Sequence, residues 1–186
     1  MAEENTRDML LAQVRECFGK VAWSHKTQEC QASIYNDYHN RLVWIKIVLA
    51  GLAAGSGIIS LFSEGNARYA AAILSSLVLI VDLIFKNHAY ADKSARHQAV
   101  ATKLWRIREA YQTLIAELMS DQFELLDIRN RIEQLADCLE KVYEIAPRTS
   151  DAAYNMASKK LHSGSCSCTD EEIDGLLPPK LRSKRD

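Results

Sequence analysis

Leu42 to Phe62 reads LVWIKIVLAGLAAGSGIISLF, an apolar run with a single charge, Lys46, near its start. It is about 21 residues long, and about 20 apolar residues cross the hydrocarbon core of a bilayer as a helix. After the short polar stretch SEGNAR, Tyr69 to Phe85 reads YAAAILSSLVLIVDLIF and carries one charge, Asp82. That second run of about 17 residues lies at the low end of the spanning range. A soluble bundle would need a polar face on each of these helices, and neither run has one over this length. The pair is therefore predicted to be a two-helix transmembrane hairpin, with spans 42–62 and 69–85 inside a segment 42–87.

Working outward, basic residues fall on the two outer flanks. Arg41 and Lys46 mark the first span, and Lys86, Lys93 and Arg96 follow the second, while the loop holds Arg68 beside Glu64. Cytoplasmic flanks carry the excess of Lys and Arg, so both termini are expected in the cytoplasm. The polar, acidic start MAEENTRDML offers no apolar stretch for a cleavable signal. Cys17, Cys30, Cys138, Cys166 and Cys168 then lie in a reducing compartment and are expected to be free thiols.

The remaining chain is helical by composition and period. In 186 residues there are 7 Gly and 3 Pro, and the prolines stand at 147, 178 and 179. Residues 1–41 form an amphipathic helix marked by Leu10, Leu11, Val14, Phe18, Val21, Ala22 and Ile34. Within 88–161, Leu104, Ile107, Tyr111, Leu114 and Leu118 alternate spacings of three and four, as do Leu125, Ile128, Ile132, Leu135, Leu139 and Val142; such seams pack helices in a coiled-coil manner and favour oligomers. A bend is expected near Ser120, with Asp121 and Glu124 as a capping box for the next helix. Pro147 ends that helix, and Thr149 or Ser150 caps a short last one through Leu161. Residues 162–186, rich in Ser, Gly, Pro and charge, are expected to be disordered. Since neither Pro nor Gly separates Ala70 from Met119, the second span and the helix after it are expected to form one rod. The predicted fold class is all-α: a transmembrane hairpin continuous with a cytoplasmic helical bundle, oligomeric.

Several stretches resemble a known family. VRECFGKVAWSHKTQEC (Val14 to Cys30), LWRIREAYQTLIAEL (Leu104 to Leu118) and APRTSDAAYNMASKKL (Ala146 to Leu161), set around a two-span hairpin, are similar to the SLATT family of bacterial membrane effectors, over about residues 8 to 161. Ser150 stands where that family's pattern implies a second proline. The resemblance implies a pore former in the bacterial inner membrane that acts in antiphage defence, controlled by a nucleotide or oligonucleotide that a partner nucleotidyltransferase makes, and acting by membrane depolarisation or disruption. The competing class is a non-conducting membrane adaptor whose coiled-coil module recruits a partner.

Candidate site residues follow from charge and size. Counting inward from the span ends puts Lys46 and Asp82 at one depth, where they form either a charged ring at a pore mouth or a salt bridge that fixes register. Lys46, Ala50, Ala53, Gly57 and Ser60 share one stripe of the first span, which turned inward would be a weakly polar lining, against the plainer reading of close packing within the hairpin; Ala72, Ser75, Leu79 and Asp82 share a stripe of the second span, the alternative lining. Ala50, Gly51, Gly55 and Gly57 form a small-residue pattern for helix packing. Arg96, Lys103, Arg106 and Arg108 are candidate nucleotide contacts through their phosphate-binding side chains, against the plainer reading of a solvated, salt-bridged face. The net charge of −1, from 23 Lys plus Arg and 24 Asp plus Glu, gives no field for duplex nucleic acid. His162, Cys166 and Cys168 lack the paired spacing of a zinc site, so no metal or cofactor is expected. No glycine-rich phosphate loop, G-x-S-x-G or H-E-x-x-H is present, and no enzyme is expected. The expected partners are the lipid bilayer, further copies of the chain in a homo-oligomer such as a tetramer, and the nucleotide signal.

Overall fold

The computed structural model describes residues 2–62, 67–120, 123–161 and 170–182. It is helical throughout: α1 Ala2–Phe62, α2 Ala67–His88, α3 Tyr90–Ser120, α4 Leu125–Ile145, α5 Asp151–Leu161 and α6 Asp170–Leu176, then a 3-10 turn, Pro179–Leu181. Two compact units result: Met1–Gln31 with Arg96–Asp186, and Ala32–Ala95.

The first unit is a bundle whose core is the set of apolar positions read from the period. Along α1, Leu10, Val14, Phe18 and Val21 are buried; on α3, so are Leu104, Ile107, Tyr111, Leu114 and Leu118; on α4, so are Ile128, Ile132 and Val142, with Leu125, Leu135 and Leu139 packed at the edge. Residues three or four apart lie on one helical face, which is why these spacings become one core. Burying a large apolar side chain fully contributes about 1.5–3 kcal/mol, so this seam dominates the stability of the unit. Glu124 is itself the N-cap of α4 and makes no side-chain cap bond, so it does not stand at the third helical residue, where a capping box needs it; Asp121 lies outside the described residues. Ser150 does cap α5: its Oγ accepts the Ala153 N–H at 3.3 Å.

The tail corrects the reading from composition. Residues 170–182, expected to be disordered, form α6 and the 3-10 turn, and bury Ile173 and Leu177 in the core. Arg15 on α1 anchors them. It donates to Asp174 Oδ1 at 2.6 Å, with both side chains at most 10% exposed, and to the Leu181 carbonyl at 3.1 Å. His162, Cys166 and Cys168 lie outside the described residues.

The second unit is the hairpin. Its most apolar stretches are almost wholly uncovered: none of that of α1 and 6% of that of α2 is buried inside the chain. Ile47, Val48, Leu52, Ile58, Ile73, Leu79 and Leu83 are each more than half exposed. The core helix of a soluble protein would hide such residues, and a helix with apolar side chains left outward suits a hydrocarbon solvent. The rod expected from Ala70 to Met119 is interrupted. Ala89 takes φ 43°, in the left-handed region, and separates α2 from α3. Bonds from Ala89 N to the Phe85 carbonyl (3.1 Å) and from Lys93 N to the Ala89 carbonyl (3.0 Å) pin the break on both sides.

Candidate functional site

Within the hairpin, Lys46 Nζ lies 2.5 Å from Asp82 Oδ1, and each side chain is 44% exposed. The depth count therefore brings the two charges together. A paired charge costs less inside a membrane than a lone one, and half-exposure leaves both able to meet water or a second copy. The half-buried positions of α1 here are Leu42, Val43, Lys46, Leu49, Ala53, Ser56 and Gly57, and the half-buried or buried ones of α2 are Ala71, Leu74, Val78, Val81, Asp82 and Phe85. Ala72, Ser75 and Leu79 are exposed. The small residues Ala50, Gly51, Ala54 and Gly55 of α1 are uncovered in this hairpin, and Ala53, Ser56 and Gly57 are half-buried. Ala50 is exposed, and a Cβ built at Gly51, Gly55 or Gly57 meets nothing within 4 Å. Gly51 and Gly55, about 40° apart around the helix, leave one face open to another surface, and the half-buried Gly57 lies about 160° from Gly55. Ser60 falls within α1, and its side chain lies outside those described.

At the basic end of the hairpin the aromatic residues gather. Tyr90 lies 5.7 Å from Tyr38, 6.1 Å from Tyr35 and 5.2 Å from His88, ring centroid to ring centroid. His39 meets the Phe85 edge at 5.2 Å, and Lys93 Nζ sits 5.7–5.8 Å from the Tyr90 and Tyr35 rings. Amphipathic rings beside cations are the composition of a membrane–water interface.

In the bundle, the four cations of α3 do not share a face. Arg96, Lys103 and Arg106 are exposed. At about 100° per residue, Arg108 points about 140° away from Lys103, and it lines a different surface. That surface is a groove of about 370 Å³ bounded by His25, Lys26, Glu29, Gln98, Thr102, Trp105 and Arg108. Its charges are paired among themselves: Lys26 Nζ to Glu29 Oε2 at 2.9 Å, His25 Nε2 to Glu29 Oε1 at 3.6 Å, Arg108 to the adjacent Glu109 at 2.7 Å. Burial pushes the His25 imidazole below its ordinary value, Glu29 opposes that, and Arg108 and Lys26 add to it. For Glu29, burial acts upward but is outweighed by the Lys26 hydrogen bond and the charges of His25, Lys26 and Lys160, so the carboxyl is held low.

A second arrangement escaped the sequence reading. His97, buried and held below its ordinary pKa by that burial, shares a 2.5 Å hydrogen bond between Nδ1 and Gln28 Oε1. Gln28 Nε2 donates to the Pro147 carbonyl at 3.2 Å, so the amide oxygen is the acceptor and His97 the donor. One turn on, the buried Gln31 Oε1 accepts both the Ser150 N–H at 2.8 Å and its Oγ at 2.7 Å. This explains the serine at 150. A proline there has no N–H to give. Beside this clamp lies a groove of about 530 Å³ that includes Trp23, Ser24, Tyr143, Arg148, Thr149 and Tyr154. Trp23 stacks on Tyr154 at 5.5 Å, and Ser24 Oγ and Tyr143 Oη are 2.9 Å apart. Its two walls come from AWSHKTQEC and APRTSDAAY, two of the stretches that carry the family resemblance; their repeated Ser, Thr, Gln and aromatic residues were the available signal.

Among the described residues, two uncovered apolar helices that share an ion pair, joined to a helical bundle, mark a two-span membrane protein. The chain matches the SMODS and SLOG-associating 2TM effector domain family 4 over residues 10–172, and it belongs to that SLATT family. It is thus a membrane effector in defence, of a family built on a 2TM effector domain. No curated protein and no solved structure matches it.

Proposed function

We propose that copies of this chain assemble in the bacterial inner membrane into a pore whose conduction is set by a nucleotide or oligonucleotide, and that opening depolarises the cell. The observation that carries this reading is the half-exposed Lys46–Asp82 pair on an otherwise apolar hairpin. Charges persist at such a depth where they meet water or one another, and a ring of copies supplies both. The open face at Gly51 and Gly55 supports close approach of a further helix. The basic, aromatic end of the hairpin supports a cytoplasmic location for both termini. The signal comes from a partner nucleotidyltransferase, in keeping with the family's association with SMODS and SLOG proteins.

Purified protein in dye-loaded liposomes tests the reading. Leak that depends on protein and changes with added nucleotide is the expected result. A correctly assembled oligomer that releases neither dye nor ions at any nucleotide concentration would instead make the hairpin an anchor and the bundle a recruiting adaptor.

A further inference from the structure

The two grooves of the bundle differ in charge balance. In the groove that Arg108 lines, both permanent cations already have a carboxylate: Glu29 serves Lys26 and also faces the His25 imidazole, and Glu109 serves Arg108. A phosphate entering there would meet Glu29 directly. The other groove is bounded by Trp23, Ser24, Thr27, Gln28, Tyr143, Ala146, Pro147, Arg148, Thr149 and Tyr154, with no carboxylate among them. Its one cation, Arg148, is exposed and makes no ion pair with any described residue.

The position of Arg148 is fixed although its side chain is uncommitted. On one side the Pro147 carbonyl accepts from Gln28 Nε2; two residues on, Ser150 gives both its N–H and its Oγ to Gln31. The backbone that presents the guanidinium is therefore held at both ends by a buried amide, and holding a binding group in place reduces the entropy lost on association. Tyr143 is 44% exposed, and its hydroxyl is tied to Ser24, which steadies the ring while leaving a face open. A volume of about 530 Å³ lies within the usual range of small-molecule pockets, about 300–1,000 Å³. An unpaired fork for a phosphate, a Thr149 hydroxyl beside it and an open aromatic face together fit a molecule that carries both an anion and a flat heterocycle.

We infer that this groove, and not the cationic face of α3, is a nucleotide site: the phosphate on Arg148 and Thr149, the base against Tyr143. The inference rests on the proposed nucleotide control and places it at one site. The groove and the first span share α1, since Trp23, Ser24 and Gln28 lie on the same uninterrupted helix that ends at Phe62.

The test is equilibrium dialysis of the full-length, detergent-solubilised protein against radiolabelled ATP and linear di-adenylate, with adenosine and pyrophosphate as competitors. Saturable binding of at least one labelled nucleotide is expected, with each fragment competing at least about 10-fold less well than the nucleotide, because base and phosphate both contribute. Arg148→Ala and Tyr143→Leu should each weaken binding by about 10-fold or more, Arg148→Lys should restore only part of it, and Arg108→Ala should leave it unchanged. Both variants alter exposed side chains, so unchanged helical circular dichroism and oligomer size are expected alongside. Loss of binding in Arg108→Ala with Arg148→Ala unaffected would overturn the groove while sparing nucleotide control. Pyrophosphate competing as well as the nucleotide would reduce the groove to an anion site and overturn the inference. No saturable binding of either nucleotide would overturn it outright, and liposome leak that still responds to them would show that the control reading survives elsewhere.

Discussion

Removing the carboxylate of Asp174 should release the tail from the bundle without unfolding the bundle itself. The Arg15–Asp174 pair is short, 2.6 Å, and almost dry, with side chains 7% and 10% exposed. Breaking a buried pair costs about 3–5 kcal/mol because a charge is left uncompensated. Arg15 keeps its bond to the Leu181 carbonyl at 3.1 Å, which places Asp174→Ala at the low end, about 3 kcal/mol. That is a factor of about 150 in the docking equilibrium, since 1.36 kcal/mol is tenfold. Hydrogen exchange read by mass spectrometry is the assay. Amides of residues 173–181 should exchange about 100-fold faster in Asp174→Ala, and those around Phe18 and Tyr111 should keep their protection. Asp174→Asn, which retains an acceptor oxygen, should lose less. Unchanged protection of 173–181, or equal loss across the whole bundle, would refute a separately docked tail held by this pair.

Acidification should weaken the bundle. Burial holds His97 and His25 below the ordinary 6.5, so the unfolded chain takes up the extra protons; their stabilising share is complete above about pH 6.5 and is lost as pH falls through the lowered values. The urea midpoint should therefore drop between pH 7.5 and 5, with a shallower slope in His97→Asn; a midpoint that rises on acidification would contradict this. Gln31→Leu removes the acceptor of the Ser150 N–H and hydroxyl and should cost about 0.5–1.5 kcal/mol, since the exposed Ser150 can turn to water, seen as a lower melting temperature. Ala89→Gly should stabilise the α2–α3 junction by about 1 kcal/mol, because glycine accepts φ 43° without the Cβ penalty; destabilisation would mean that the left-handed break does not form.

Much of the fold is legible because helical period and burial are the same information. Leu104, Ile107, Tyr111, Leu114 and Leu118 are buried for the reason they are spaced as they are, and Lys46 meets Asp82 because two antiparallel spans of known rise put equal counts at equal depth. The break at Ala89 was invisible since the residue itself disfavours the conformation it takes. Ile173 and Leu177 are too few for a periodic signal, and their anchor, Arg15, is 159 residues from Asp174. The clamp and its groove join Gln28 and Gln31 to Pro147 and Ser150 across 119 residues, a pairing no local pattern encodes. Of the basic residues Arg96, Lys103, Arg106 and Arg108, the first three share a face and Arg108 turns into a groove, a division that angle around the helix gives and proximity in sequence does not.

The central claim, that the hairpin conducts and that its ion pair lines the path, is tested most directly by planar-bilayer recording under a KCl gradient. Wild-type protein should give discrete, nucleotide-dependent currents, and Asp82→Asn, which leaves Lys46 uncompensated, should move the reversal potential toward that of chloride, while Leu79→Ile leaves it in place. Currents whose reversal potential ignores Asp82→Asn would take the pair out of the conducting path, and silence of the wild-type protein under every nucleotide would contradict the pore itself.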